Sequence, residues 1–324
     1  MMTQTYRRIW HLTAALVALC TAMAFAQAPS DPLADARQMV DAGKFQEAQA
    51  ALHNLLVTNP SYPDARFLLG YVLFREQNAR ESLAEFTAGA KFRRPTADEF
   101  KVIASDYVLL DDFVDADKWF SEAVAESPND ADANYLLGRT KFNENDYPAA
   151  ISSFEHALAL RPRYVEAENN IGLAWKELND IEKAKAAFET AIDWQGDKPL
   201  DAQPFLNLGT LLAEHNQPDA ALAYLEKAAA LSPDNPTVHE ELSHAYSAQQ
   251  NLPKAQRELE RAITLAPDVS SLHYQLGQLF RKEGLKNRAQ QEFAICEKLS
   301  TAHSSDKTPN PISIKQSNNT SANH

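Results

Sequence analysis

Between Ala131 and Tyr164 the apolar side chains recur at helical spacing in two short runs separated by a polar break. The first run predicts a helix A over residues 131–143, with Ala133, Leu136, Leu137, Phe142 and the small Gly138 on its inner side. Asn145 and Asp146 follow as turn and N-cap residues. Pro148 falls in the first turn of a helix B, where a missing N–H costs nothing. Helix B carries Ala150, Ile151, Phe154, Ala157 and Leu158 at helical spacing, and Arg161-Pro162 ends it. Gly138 and Ala150 let the two backbones approach closely, while Phe154 and Ala157 fill the remaining space. One such hairpin buries too little apolar surface to stand alone, whereas stacked neighbours bury a continuous core.

The pattern returns along the chain. Gly70, Gly138, Gly172, Gly209 and Gly277 are spaced 68, 34, 37 and 68 apart. Ala48, Ala116, Ala150, Ala184, Ala221, Ala255 and Ala289 repeat that spacing, with the same three-residue slip between the same units. A third column runs Leu52, Phe86, Phe120, Phe154, Phe188, Leu225, Leu259 and Phe293, and a fourth places proline at 60, 128, 162, 233 and 267. Leu-Gly in helix A, Ala-Phe-Ala in helix B and the terminal Pro resemble the tetratricopeptide repeat. Counting Ala131 as position 1, units begin near 29, 63, 97, 131, 165, 202, 236 and 270. The resemblance implies an all-α, right-handed superhelical solenoid of about eight helix-turn-helix repeats. Departures are mild: Asp35-Ala36, Ile103-Ala104 and Leu242-Ser243 replace the Leu-Gly pair in three units, and extra residues lie around 196–201.

The expected organisation is a signal peptide over 1–26, a repeat array over 27–300 and a disordered tail over 301–324. Arg7 and Arg8 precede an apolar run at 9–25, and Ala24-Phe25-Ala26 offers small residues flanking a cleavage point. This predicts export to a periplasmic or extracellular space, with no membrane span after cleavage. An uncleaved N-terminal anchor is the alternative. A lipoprotein reading through Cys20 is disfavoured by bulky Leu19 before it. Without the leader one cysteine remains, Cys296, in a packing column of the last helix where other repeats have Ala. The tail is rich in Ser, Asn, Thr and Pro and lacks a hydrophobic period. The net charge of −13 becomes −15 once Arg7 and Arg8 are removed, which disfavours nucleic acid and favours basic or neutral partners.

No candidate chemistry survives inspection, and neither a catalytic residue, a metal nor a cofactor is expected. His239 and His244 are five apart, so they diverge by about 140° around a helix and cannot share a metal as histidines four apart do. In repeat register His239 faces the neighbouring repeat and His244 the groove. The run from Asp130 starts like a calcium loop, but Tyr135 stands where glycine is needed and Lys141 where glutamate is needed. Repeat register places the paired carboxylates on solvated faces.

In the family, helix A lines the concave side, and positions 2, 5, 6, 9, 12 and 13 of each unit face the groove. Read on this chain, they supply Phe67, Tyr71 and Phe74, then Lys101, then Tyr135, Arg139 and Phe142. Aromatics with arginine are the composition of interface anchors, and the competing reading packs some of them between adjacent A helices. Asn170 and Asn207 hold position 6 in consecutive units and resemble the asparagine ladder of the O-linked GlcNAc transferase repeat domain, which binds extended peptide backbone. The two-carboxylate clamp of chaperone-binding members is not matched. Lys101 is present, but Asp64, Asp98, Asp132 and Glu166 hold position 2. No polar capping helix follows Leu299, so partial exposure of Phe293, Cys296 and Leu299 is expected, and with it cover by a partner or a second copy. The function expected is a non-enzymatic scaffold binding protein or extended peptide in its groove. The alternative is a structural subunit that self-associates through the last repeat.

Overall fold

The computed structural model describes residues 31–305, and the expected signal peptide lies outside them, as does the tail beyond 305. The described residues form sixteen α-helices and no strand. They fall into two units that part after Pro128. The first holds α1 (Ala34–Asp41), α2 (Phe45–Thr58), α3 (Pro63–Arg75), α4 (Ala79–Ala90), α5 (Ala97–Leu109) and α6 (Phe113–Glu126). The second holds α7 (Ala131–Asn143), α8 (Tyr147–Leu160), α9 (Val165–Glu177), α10 (Ile181–Gln195) and α11 (Gln203–Glu214). It continues with α12 (Pro218–Leu231), α13 (Pro236–Ala248), α14 (Leu252–Leu265), α15 (Ser270–Lys282) and α16 (Lys286–Ser305). Odd-numbered helices are the A members of eight hairpins and even-numbered helices the B members. α16 runs five residues past 300, where the tail was expected to begin.

Five of the eight hairpins are locked by a large side chain seated against a bare backbone, a ring in four of them. A Cβ added at Gly138 would lie 2.6 Å from the Phe154 ring, and one at Gly172 would lie 2.5 Å from Phe188. Gly70 stands in the same relation to Phe86, Gly277 to Phe293, and Gly209 to Leu225. The glycine therefore makes room for the large side chain of helix B, more than for the small alanine beside it. Ala48, Ala116, Ala150, Ala184, Ala221 and Ala255 are fully buried and fill the neighbouring column.

The A-to-B turn is equally regular. Gly43, Gln77, Asp111, Asn145, Asn179, Asn216, Gln250 and Gly284 all have positive φ at one register position. A left-handed residue there ends helix A and reverses the chain. The next residue caps helix B in half of the turns: Asp112, Asp146, Asp180 and Asn251 each accept a hydrogen bond from a backbone N–H three residues on.

His239 bridges two repeats: its Nδ1 lies 2.8 Å from Glu258 on its own B helix and its Nε2 2.9 Å from the carbonyl of Pro233, at the end of the preceding repeat. His273 repeats this arrangement with Glu292 and Pro267. One expectation is corrected: the carboxylates are not all solvated. Asp106 is wholly buried in α5, because its register position lies against the preceding hairpin and not on the outside.

Candidate functional site

In the first unit the A helices α1, α3 and α5 line a cleft of about 530 Å³. Phe67, Leu68, Tyr71 and Val102 give it an apolar floor, and Arg37, Asp64, Arg93, Asp98 and Glu99 a charged rim. Two of the rim carboxylates are held by one arginine. Arg93 makes two parallel hydrogen bonds to Glu99, 3.0 and 2.7 Å long, and a third of 3.0 Å to Asp64. Its guanidinium lies 4.2 Å from the centre of the Phe67 ring. Hydrogen bonding to Glu99 chiefly raises its already high pKa. Glu99 also completes a capping box with Thr96 at the start of α5, so the same carboxylate fixes both the helix and the rim. Arg37 pairs with Asp31 at the other wall.

The expected anchors divide in this unit. Phe67 is 2% exposed, packed on Phe86 at 5.8 Å between ring centres and against Gly89. It is a core residue whose edge reaches the cleft, because Gly89 leaves its ring a slot. Tyr71 and Phe74 are half-buried. The Tyr71 hydroxyl accepts from Arg75 at 2.9 Å. Lys101 is half-buried, with its ammonium 2.8 Å from Asp98.

The A helices of the second unit carry a polar ribbon. Tyr135 is half-buried, 5.8 Å from the Phe154 ring and 4.9 Å from Tyr164, and burial raises its phenol pKa. Asn170 donates to the Tyr135 hydroxyl at 3.1 Å. Asn207 donates to Asn169 at 2.8 Å and accepts from Gln203 at 3.0 Å. Further along, Gln275 donates to Glu240 at 2.6 Å and lies 2.9 Å from His244. Arg139 is exposed, 6.0 Å from the Tyr135 ring, and Phe142 packs edge-on to Tyr147 at 5.3 Å. The two asparagines thus each direct one amide donor to the preceding repeat. Asn169, Gln203 and Gln275 complete the ribbon and were missed from sequence. Their signal was a polar residue at position 2, 5 or 6 in successive A helices.

Three family models described as tetratricopeptide repeat match this chain, one at 33–98 and 170–236, one at 131–164 and one at 212–294. Protein O-mannosyl-transferase TMTC1 of Mus musculus is 24% identical over 164 residues, which are 49% of this chain and 17% of that protein. Protein FlbA of Caulobacter vibrioides is 28% identical over 123 residues, 38% of this chain and 20% of that protein. The chain therefore spans a fifth or less of these relatives. The crystal structure of a tetratricopeptide repeat protein from Parabacteroides merdae is 17% identical and aligns with a TM-score of 0.62 over 77% of this chain and 97% of that one. Register, interlocking glycines and matching models agree, and the chain belongs to the tetratricopeptide repeat family.

Proposed function

We propose that this protein is a non-enzymatic scaffold that holds an extended peptide or protein segment in the cleft of its first unit. The observation that carries the reading is the cleft itself, an apolar floor inside a charged rim whose Asp64 and Glu99 are already fixed by Arg93. Such a floor gains from an apolar side chain of a partner, and a pre-set rim loses little freedom on binding. The ribbon of the second unit, with its amides already bonded to side chains of their own and neighbouring repeats, offers less to an incoming backbone. The groove residues Tyr135, Arg139, Phe142, Asn170 and Asn207 accordingly serve as secondary contacts.

The compartment we propose is exported, periplasmic or secreted, on the strength of Arg7, Arg8 and the apolar run after them. Among the described residues no helix is long and apolar enough to cross a membrane. A membrane-anchored form through an uncleaved leader is the alternative. Selection of displayed twelve-residue peptides on the full protein tests the binding role. Enriched peptides are expected to lose at least about ten-fold in affinity for Val102→Glu and Tyr71→Ala. Equal affinity for both variants would remove the cleft from the account.

A second reading, self-association through the last repeat, has its own observation. On α16, Phe293, Cys296 and Leu299 are half-buried and Ile295 is 40% exposed. Sedimentation at rising concentration decides it, since a scaffold stays small and an assembling subunit grows.

A further inference from the structure

The tip of the third hairpin, where α5 turns into α6, breaks with the other hairpins of the array. Leu109 and its neighbour Leu110 close α5, Val114 opens α6, and the three are 48%, 36% and 74% exposed. Elsewhere Asp41, Arg75, Asn143, Glu177, Glu214 and Lys282 stand at the position of Leu109. Glu144 and Glu283 stand at that of Leu110, and Arg80, Glu182 and Asp219 at that of Val114. Leu178 is the single leucine, isoleucine or valine at these three positions in the other seven hairpins. Isolated apolar side chains on a surface are ordinary. Three within six residues, where seven other hairpins together have one, make a patch.

The patch carries acid and almost no base. Asp111 and Asp112 lie between the leucines and Val114, and Asp115 follows it. Asp112 accepts from the Asp115 N–H at 3.2 Å, caps α6 and keeps its charge there. Burial first, and then the charge of Asp115, raise the pKa of the Tyr107 phenol, with Asp112 adding to the effect, so both carboxylates act on the base of the tip. Asp111, Asp112 and Asp115 form no ion pair among the described residues. From Tyr107 to Lys118 the chain sets Asp111, Asp112, Asp115 and Asp117 against Lys118 alone, a local excess of three negative charges. The second hairpin's tip does not offset it, since Arg75 and Arg80 stand there with Glu76 and Glu81. Among the described residues no three acids, histidines or cysteines gather closely enough to hold a metal ion, so these aspartates are spread over the tip and do not converge on one point.

We propose that this tip is a docking surface for a cationic amphipathic segment of a partner protein, one with leucine-like side chains on one side and lysines or arginines beside them. Leu109, Leu110 and Val114 meet the apolar side, and Asp111, Asp112 and Asp115 meet the cations. The turn is closed beforehand. The N–H groups of Leu110, Asp111 and Asp112 donate to the carbonyls of Asp106, Val108 and Tyr107 at 3.1, 3.1 and 2.9 Å, so little loop freedom is lost on docking. Burial of the patch supplies the affinity, and the acids supply the attraction and the selectivity for base. No residue of the tip lines the first unit's cleft, and the site stands whether or not that cleft binds peptide.

The test uses the full chain and three fluorescent fourteen-residue peptides. One sets leucines along one helical face with lysines beside them, one replaces every lysine with glutamate, and one replaces every leucine with serine. The first is expected to bind at least about ten-fold tighter than either of the others. Its binding should weaken at about 0.5 M salt, as screened charge pairs do. Amide resonances of Leu109, Leu110, Asp111 and Val114 should shift on titration. Leu109→Asn with Val114→Gln installs side chains that Asn143 and Gln46 place at these positions in other hairpins, and should lose about ten-fold. Asp111→Asn with Asp115→Asn should lose as much, and Asn145 and Asn179 already hold the left-handed position of Asp111 in other turns. Both variants should keep the wild-type circular dichroism. Tyr71→Ala, in the first unit's cleft, should leave the affinity of this peptide unchanged. Serine peptide binding as well as the leucine one, shifts confined to other repeats, or affinity unmoved by either tip variant would each overturn the proposal. Sedimentation in which the chain alone grows with concentration, and Leu109→Asn with Val114→Gln abolishes the growth, would give the tip to a second copy and overturn it too.

Discussion

Ser82 stands where the neighbouring repeats have a buried alanine, and its hydroxyl holds a single proton. Two oxygens receive it in the geometry, the Gly70 carbonyl at 2.8 Å and Asp106 Oδ2 at 2.5 Å. The arrangement closes when Asp106 keeps its own proton and donates to Ser82, which donates to Gly70. Burial pushes the Asp106 carboxyl up from its ordinary 3.8 to about 7, the Ser82 hydrogen bond opposing, and no charged side chain contributes. Oδ1 of Asp106 has no hydrogen-bond partner. Below about pH 4 the folded and unfolded chains both hold this proton and stability is untouched. From there to about pH 7 the unfolded chain releases a proton that the folded one keeps, so stability falls as pH rises. At about 1.4 kcal/mol per unit the penalty reaches about 4 kcal/mol by neutrality. Asp106→Asn keeps the shape and donates permanently to Ser82. Thermal melts from pH 4 to 8 should show the variant more stable at the upper end, with the two curves converging near pH 4. Gly138→Ala should destabilise by about 1–3 kcal/mol in denaturant unfolding, because its Cβ would meet the Phe154 ring at 2.6 Å. The glycine was readable from sequence, since its column repeats. Asp106 was not, because Val72 and Thr140 occupy its position elsewhere and nothing in the spacing marks an acid there as buried.

Among elements, the hairpin was the most legible. Helix A was expected at 131–143 and α7 has those ends. The boundaries could be read because packing residues, turn residues and prolines repeat in one register and each has a local reason. The left-handed turn position was only partly legible. Glycine at 43 and 284 and asparagine at 145 suggest it, but glutamine at 77 and 250 does not, since glutamine has no local preference for that conformation. Long-range braces left no sequence trace. Arg93 joins Asp64 on α3, 29 residues before it, to Glu99 on α5, six residues after it. Its planar fork binds both oxygens of Glu99 while stacking on Phe67, which an ammonium cannot reproduce. Arg93→Ala is expected to cost about 1–2 kcal/mol, with Arg93→Lys recovering little of it. Hydrogen exchange at the start of α5 should accelerate in both variants. Protection equal to wild type in the lysine variant would show that charge alone suffices.

At the level of the whole molecule, the 34-residue period and the all-α class were legible because every unit solves one packing problem with the same few residues. The candidate site was legible only as a face. Tyr71 reaches the cleft as expected, Phe67 turned inward to fill the slot at Gly89, and Asn170 and Asn207 went to the preceding repeat. Register gives the side of a helix and not the partner that a side chain finds there. Stacked repeats contact only their neighbours, so damage should stay local. Gly172→Ala is expected to raise hydrogen exchange in α9, α10 and the adjoining helices while leaving α15, in the same unit, near its wild-type rate. Uniform acceleration through α15 would indicate a single cooperative block. The division after Pro128 falls between whole hairpins and leaves three in the first unit and five in the second. About three repeats is the least that such an array needs. A digesting protease should therefore find its first cuts among α1 to α6, so the shorter unit, which carries the aromatic cleft, is also the more easily severed.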